Sequence, residues 1–369
     1  MSPGSQVPLR VAFIGGAINS AVGYTHFNAT RMDGLLRVVA GCFSRHEEIN
    51  RQTASLYGIP ARRLHASWQE LLSKEQGQLD AVVILTPTPT HAEICLAALE
   101  AGYEVICEKA LATSAEECRQ IGEAAACHNR FLAVTYNYSG YPMVRQLRKF
   151  VEQGRLGRLQ QIHIEMPQEG FLRQGANPQP WRRTDYAIPT VSLDLGVHVH
   201  HLIDFVSGGL QPLEIMGDQA SYGLVEGIVD NVYCLARYEN NLRVQAWWGK
   251  TALGYRNGLR LRVFGELGSA DWYQMEPEML RTSDNDGHTL IIDRASGEAE
   301  LAQETRYNRF KAGHPTGFIE AFANLYVDIA DELRARKHSR QERKNSFVYG
   351  ATAAEKGLHM LGSLAQTPG

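Results

Sequence analysis

The chain is expected to fold as a doubly wound parallel α/β domain followed by an α+β domain built on a large, mainly antiparallel sheet. Three observations predict it. The chain has 369 residues, too many for one small core, so two domains are expected. Between Leu9 and Thr135, short apolar runs alternate with helical stretches, the order that makes a parallel sheet. From Leu159 the apolar runs follow one another through turns instead, as antiparallel strands do. The boundary is expected near residue 140, dividing the chain into 1–140 and 141–369.

The first strand is Leu9–Ile14. It enters Gly15-Gly-Ala-Ile-Asn-Ser-Ala-Val-Gly23. Small residues there let the backbone turn tightly and approach a pyrophosphate seated on the N-terminus of the next helix. Gly15 matches the first glycine of G-x-G-x-x-G, Ala17 and Ser20 stand where the second and third would be, and Gly23 comes late. Taken alone, the stretch is read equally well as a plain strand–turn–helix. Leu36–Phe43 is the second strand, about 20 residues on, where the ribose-binding residue of such folds belongs. It ends in Ser44-Arg45-His46. A hydroxyl and a guanidinium suit a 2′-phosphate, which points to NADP rather than NAD; a solvated Arg45 is the plain alternative.

Ala81–Leu85, unbroken and rich in β-branched residues, suits a strand buried on both faces. Pro87 and Pro89 stop it. Thr90 with Glu93 reads as a capping box, Ile94 to Leu99 as a helix face and Gly102 as its end. Val105–Cys107 is the next strand. A strand–helix–strand crossover is right-handed and brings both strand ends to one edge, the edge where open α/β sheets bind ligands. Thr86–His91 and Glu108-Lys109 are therefore expected at a site. Lys109, directly past a buried strand, is the candidate for chemistry, set against the reading of an ordinary exposed lysine. Trp68–Leu72 is a short helix ahead of the third strand, and Ser114-x-x-Glu117 opens another helix. Phe131–Thr135 then delivers Tyr136-Asn137-Tyr138 to the same edge.

In the second domain Tyr141-Pro142 starts a helix, with proline at its first position and Gly154 past its end. Leu159–Met166, Asn231–Tyr238, Leu242–Trp248, Leu259–Phe264 and Ser269–Gln274 read as strands, with Asn240-Asn241 as a tight hairpin turn. Residues 168–188 are polar and rich in Pro and Gly, a long loop near a site. Residues 315–336 and 346–364 read as closing helices. Ser192-Leu-Asp194-Leu-Gly-Val-His198-Val-His-His201 places Asp194 and His198 four apart on one helix face. A carboxylate beside an imidazole fixes its tautomer and raises its basicity; helix decoration is the plain alternative. His198, His200 and His201 cannot all face one point, and no nearby cysteine or acidic set completes a zinc site, so no metal is expected.

Charge and composition argue against other classes. With 37 basic and 40 acidic residues the formal net charge is −3, and without a basic block nucleic acid is not expected as a partner. No apolar run approaches the roughly 20 residues of a membrane helix. The N-terminus lacks a charged-then-apolar signal pattern. Six cysteines without a Cys-x-x-Cys indicate a reducing, cytoplasmic setting without disulfides.

Thr86-Pro87-Thr88 with His91, then Glu108-Lys109, then Asp194-x-Gly196-x-His198, together resemble the glucose–fructose oxidoreductase/inositol dehydrogenase/MocA family over nearly the whole chain. Tyr136–Arg145, Arg262–Ser269 and Gly313–Phe322 are also similar to stretches of one branch of it. The resemblance implies a Rossmann nucleotide domain and hydride transfer between NADP or NAD and a sugar, sugar derivative or cyclic polyol, in a homodimer or homotetramer. It also implies roles. Lys109 contacts the reacting oxygen and the nicotinamide ribose, and Asp194 and His198 form the substrate-binding and acid–base pair. Thr86, Pro87 and His91 line the nicotinamide side, with Glu108 beside the ribose and Asn137 at the same edge. Gly15, Gly16, Ala17, Asn19 and Ser20 hold the pyrophosphate, and Ser44 and Arg45 the adenosine end. Tyr138, Trp181, Arg182, Trp247, Trp248 and His314 are candidates to stack on or bond to hydroxylated rings, with core or subunit interface an equal reading for most of the aromatics. The chain departs from the family pattern at Ala110, which replaces the usual proline, in the glycine loop, and at Ile188-Pro-Thr-Val-Ser. Two other classes stay open on sequence: a nicotinamide-retaining hydrolase or dehydratase, and a catalytically silent nucleotide-binding regulator.

Overall fold

The computed structural model describes residues 7–338 and 347–366. The chain forms two compact units. One comprises Met1–Ala112, Glu116–Asn137 and Phe318–Glu355, the other Thr113–Ala115, Tyr138–Gly317 and Lys356–Gly369.

The first unit is built on a parallel sheet of β1 (Leu9–Gly15), β2 (Leu36–Cys42), β3 (Ala81–Leu85), β4 (Val105–Glu108) and β5 (Leu132–Thr135), in the order β2-β1-β3-β4-β5. β3 and β4 are buried along their whole length, as strands covered on both faces are. The order changes direction between β1 and β3, whose C-terminal residues Gly15 and Leu85 are paired. That is the switch point at which such sheets bind ligands. Helices α1 (Gly23–Met32), α2 (Glu47–Tyr57), α3 (Trp68–Lys74), α4 (His91–Glu100) and α5 (Ala115–Cys127) belong to the same unit. Thr90 does not cap α4 through its side chain as expected. Its hydroxyl turns back to the Pro87 carbonyl and Thr86 Oγ1, both at 2.8 Å, because the two prolines draw Thr88–Thr90 into a 3-10 turn ahead of the helix. Capping of this kind is found at α3, where Ser67 Oγ accepts from Glu70 N and Glu70 Oε2 from Ala66 N.

The sequence boundary near 140 lies close to the edge of this unit at Asn137, but Phe318–Glu355 belongs to the first unit and not the second. The reason is packing. Helix α8 (Phe318–Lys337) buries Phe322, Tyr326, Ile329 and Leu333 in one core with Phe13, Phe27, Tyr57 and Val83. The period of a helix shows that it buries a face, not which sheet covers it.

The second unit carries an eight-stranded sheet: β6 (Leu159–Pro167), β7 (Pro212–Ala220), β8 (Asn231–Tyr238), β9 (Arg243–Gly249), β10 (Arg260–Gly265), β11 (Gly268–Tyr273), β12 (Leu280–Asp284) and β13 (Thr289–Ile292). The order is β13-β12-β11-β10-β6-β9-β8-β7. β6 and β9 run parallel, and the other neighbouring pairs antiparallel. The five strands read from sequence are all present, each end within one residue. β7, β12 and β13 were not legible. β7 is an edge strand without a single fully buried residue, so it has no apolar alternation to read. Asn240 and Asn241 have φ of 55° and 61°, the left-handed pair a tight hairpin requires. Helix α6 (Pro142–Glu152) starts at its proline as expected, and α7 (Val197–Ser207) follows the loop after β6. The two closing helices are α8 and α9 (Ala351–Ala365); residue 346, at the expected start of the second, lies outside the described residues. All six cysteines are free thiols, and all but Cys127 are buried. Among the described residues no helix is long and apolar enough to cross a membrane.

Candidate active site

The turn between β1 and α1 is shaped by three glycines. Gly15 and Gly16 have φ of +84° and +73°, where a side chain is strained. A Cβ on Gly23 would lie 2.2 Å from Gly16 O. Gly23, late in the sequence, therefore supplies the close helix–strand approach that the third glycine of the fingerprint normally provides. Ala17 and Ser20 occupy the bend between them: Ser20 N donates to Ala17 O at 2.8 Å. Ser20 Oγ accepts from Gly23 N at 2.7 Å and from Val22 N at 3.3 Å, at the start of α1. Asn19 is exposed, and Tyr57 OH donates to Gly16 O at 3.1 Å, tying the turn to α2. Gly23→Ala is expected to cost about 1–3 kcal/mol, because the Gly16 backbone must shift. Urea unfolding reads this; an unchanged midpoint would contradict the close approach.

At the end of β2, Asn50 Oδ1 accepts from Phe43 N at 2.8 Å, and Ser44 Oγ accepts from His46 N at 3.1 Å. Arg45 is exposed, and no carboxylate stands between Cys42 and His46.

The ends of β3, β4 and β5 lie side by side, with Ile84 opposite Cys107 and Glu108 opposite Thr135. Thr86 is half-buried and Pro87 exposed. His91, expected on the nicotinamide side, is 1% exposed. Its ring nitrogens face Ala110 O at 2.8 Å and Thr86 O at 2.7 Å. It ties the loop after β3 to the segment after β4, so its influence on a ligand runs through that loop. Burial pushes its pKa down more than the two carbonyls push it up, and a neutral ring donates to one carbonyl at a time. Lys109 is half-buried, and the Lys109–Ala110 peptide is cis. Glu108 is buried. Thr135 Oγ1 donates to its Oε1, and His26 Nε2 lies 3.1 Å from the same oxygen. Burial alone would raise the Glu108 carboxyl, but His26, then the Lys109 charge and Thr135, bring it below its ordinary 4.5. Asn137, after β5, is 2% exposed, and its Nδ2 has no hydrogen-bond partner among the described residues. A buried amide donor of this kind fits a carbonyl or phosphate acceptor on a nucleotide.

In the second unit, Asp194 sits in a π-helical turn, Ser192–Gly196, that runs into α7. The plain α-helical spacing expected between Asp194 and His198 is therefore interrupted, as it often is at functional sites. Close packing shapes the turn: Trp248 Nε1 donates to Ser192 Oγ at 3.1 Å, and a Cβ on Gly196 would lie 2.9 Å from Leu361 and 3.0 Å from Trp248. The Asp194 carboxylate is held by two cations. Arg182 reaches it with both fork nitrogens, at 3.0 and 3.1 Å, and Lys250 Nζ donates to Oδ2. Arg182 comes from a 3-10 turn, Pro180–Arg183, inside the loop read from sequence, and lies 4.4 Å over the Trp181 ring. Lys250 directly follows β9 and lies 5.3 Å over the Phe171 ring. The His198 ring stands edge-on to Tyr138, with centroids 4.7 Å apart, and Tyr138 OH accepts from Asn257 Nδ2 at 2.9 Å. Trp248 is core, 1% exposed, and not a sugar contact. Trp247, on the opposite face of β9, stacks on Tyr233. His200 and His201 are buried in α7, where burial pushes the His200 pKa down to about 4.

A parallel sheet with a glycine turn at its switch point is the arrangement of a dinucleotide-binding domain. Residues 9–136 match the profile of the oxidoreductase family with an NAD-binding Rossmann fold, and residues 144–271 that of the GFO/IDH/MocA C-terminal domain. The chain belongs to the Gfo/Idh/MocA oxidoreductase family. The uncharacterized oxidoreductase YfiI of Bacillus subtilis is 31% identical over 362 residues, 93% of this chain and 90% of that one. Inositol 2-dehydrogenase of Rhodococcus erythropolis is 29% identical over 269 residues, 71% of each chain. The crystal structure of an inositol dehydrogenase homolog from Azotobacter vinelandii, complexed with NADH and myo-inositol, matches with a TM-score of 0.86 at 28% identity, covering 98% of this chain and 95% of that one.

Proposed function

We propose that this protein is an NAD(P)-dependent dehydrogenase acting on a hydroxyl of a sugar, sugar derivative or cyclic polyol. The observation that carries the proposal is the buried Asp194 carboxylate held between Arg182 and Lys250, four residues before His198. A carboxylate accepts from ring hydroxyls and the two cations donate to them, so the set is matched to a polyhydroxylated ring. The inositol dehydrogenases among its relatives support the same substrate class.

The nicotinamide, when bound, supplies the hydride acceptor. The protein's own task is to move a proton and steady a charge. His198 takes the hydroxyl proton, Asp194 orients the group that loses it, and Lys109 stabilises the developing negative oxygen. The turn Gly15–Ser20 with α1 holds the pyrophosphate, and Thr86, Glu108 and Asn137 the nicotinamide end. A panel of polyols and sugars offered with NAD and NADP, followed at the reduced-nicotinamide absorbance band, tests this. Steady accumulation is expected. Product formed without net reduction would instead support a nicotinamide-retaining hydrolase or dehydratase, and no turnover a silent nucleotide-binding regulator.

We assign NADP as the preferred cofactor on the exposed Arg45 and the lack of a carboxylate at the end of β2. Arg45→Ala is expected to lower kcat/KM with NADP about tenfold, the scale of one charge-assisted hydrogen bond, and to leave NAD nearly unaffected. Equal losses with both cofactors would contradict the assignment. The outward face of β7 and β8 carries Met216, Tyr233 and Leu235, between 37% and 55% exposed. We assign it to self-association as a dimer or tetramer in the cytoplasm. Leu235→Glu is expected to yield a monomer by light scattering, and an unchanged mass would contradict it.

A further inference from the structure

We propose that His26 and Tyr326 are positioning residues: with Thr135 they fix one oxygen of Glu108, and through Glu108 they set the ammonium of Lys109. The inference rests on the reading that Lys109 meets the reacting oxygen. Its basis is a line of polar groups inside the first unit. Tyr326 OH on α8 lies 2.7 Å from His26 Nδ1 on α1, and His26 Nε2 lies 3.1 Å from Glu108 Oε1 at the end of β4. Thr135 Oγ1, at the end of β5, donates to the same Oε1. All are buried: His26 0%, Tyr326 1%, Thr135 1% and Glu108 6% exposed. Burying four polar side chains is costly unless each is satisfied, and an apolar filling of the same space would be cheaper to build.

The polarity of the line follows from chemistry. An ionised carboxylate only accepts, so His26 Nε2 carries the hydrogen toward Glu108. Nδ1, on the other side of the ring, meets the Tyr326 hydroxyl, which can donate or accept. Burial raises the Tyr326 phenol well above its ordinary value, which keeps it a neutral hydroxyl. The His26 ring is locked against Phe322, centroids 4.5 Å apart. Both donors fall on Oε1, and Oε2 accepts no hydrogen bond among the described residues, which leaves it to the Lys109 charge or to a ligand. The other titratable groups around Glu108 are His91 on α4 and Cys107 on β4. Burial pushes the His91 pKa down and the Cys107 thiol well up, so both are neutral near pH 7. His26 first and then Lys109 are the groups to which Glu108 answers.

The sign of the pH effect is set by the balance at Glu108. Its folded value lies below 4.5 because its partners outweigh burial. Its stabilising contribution is full above that value and is lost as pH falls through the folded one. Removing His26 takes away the largest of those partners, so protonation moves to higher pH.

The test compares full-length wild type with His26→Phe, His26→Gln and Tyr326→Phe. In wild type, ring nitrogen NMR should show a hydrogen on His26 Nε2, held toward Glu108, and Tyr326→Phe should shift mainly Nδ1. In His26→Phe, kcat should fall about ten- to a hundredfold, the scale of a slightly misplaced catalytic group, a larger change than any rise in KM for nucleotide. The acid limb of kcat should move to higher pH. His26→Gln keeps a side-chain donor and should recover most of the loss. Tyr326→Phe deletes one hydroxyl and carries the kinetic test if His26→Phe does not fold. A His26 ring with no hydrogen on Nε2, or an unmoved acid limb in folded variants, would overturn the relay. A wild type without nicotinamide-linked turnover would overturn the dehydrogenase reading instead, and the Nε2 hydrogen would still decide the relay.

Discussion

Lys109→Met is expected to fold normally and to lose about a hundred- to ten-thousandfold in kcat, the range spanned by lost acid–base and oxyanion-type stabilisation. Lys109 is half-buried just past the end of β4. Methionine is similar in length and apolar, so it removes the charge with little change in packing. A charge aimed at an oxygen that becomes negative acts in the transition state more than in the ground state. The loss should therefore appear in kcat, with KM nearly unchanged. Steady-state kinetics on a substrate identified by the panel would show this. Near-wild-type kcat would remove Lys109 from the chemistry.

Asp194→Leu should be the most destabilising single change at the site, by about 3–5 kcal/mol. It takes the shared carboxylate from the buried Lys250 and the half-buried Arg182 and leaves their charges poorly solvated. Asp194 and Lys250 side chains are each 9% exposed and Arg182 is 21% exposed, so solvent screening relieves little of this. Asp194→Asn, which keeps an acceptor and the shape, should cost less, and adding Lys250→Met to Asp194→Leu should recover part of the loss. Urea unfolding near pH 7 measures all three. A loss below about 1 kcal/mol for Asp194→Leu, the size of a surface pair, would mean that the clamp is not a buried one.

Much of this was legible in the residues because it is local. Ala81–Leu85 and Val105–Cys107 are short apolar runs bounded by prolines and glycines, and both are strands. A lysine directly after such a run marked Lys109. The same mark stands at Lys250, after Trp-Trp-Gly at the end of β9, and it is the sequence signal for the second cation on Asp194. The rest depends on contacts between distant residues. His26 and Tyr326 are 300 residues apart, and nothing in either segment names the other. Helix α8 has the same apolar face whichever sheet it covers. The π-helical turn at Asp194 packs against Trp248 and Leu361, residues far along the chain that the local pattern does not name. Edge strands β7 and β13 lack the pattern of buried strands because water covers part of them. Gly23 was legible as small but not as the glycine that touches Gly16, since that requires knowing where α1 begins.

The most direct measurement is isotope transfer. The full-length protein is mixed with NADP or NAD and a polyol such as myo-inositol deuterated at its carbinol carbons, and the nicotinamide is recovered. Reduced nicotinamide carrying the deuterium is expected to accumulate, more slowly than with the protonated polyol and about a hundredfold or more slower still in Lys109→Met. Reduced nicotinamide without deuterium, or none with any polyol or sugar, would contradict direct hydride transfer at the carbinol carbon.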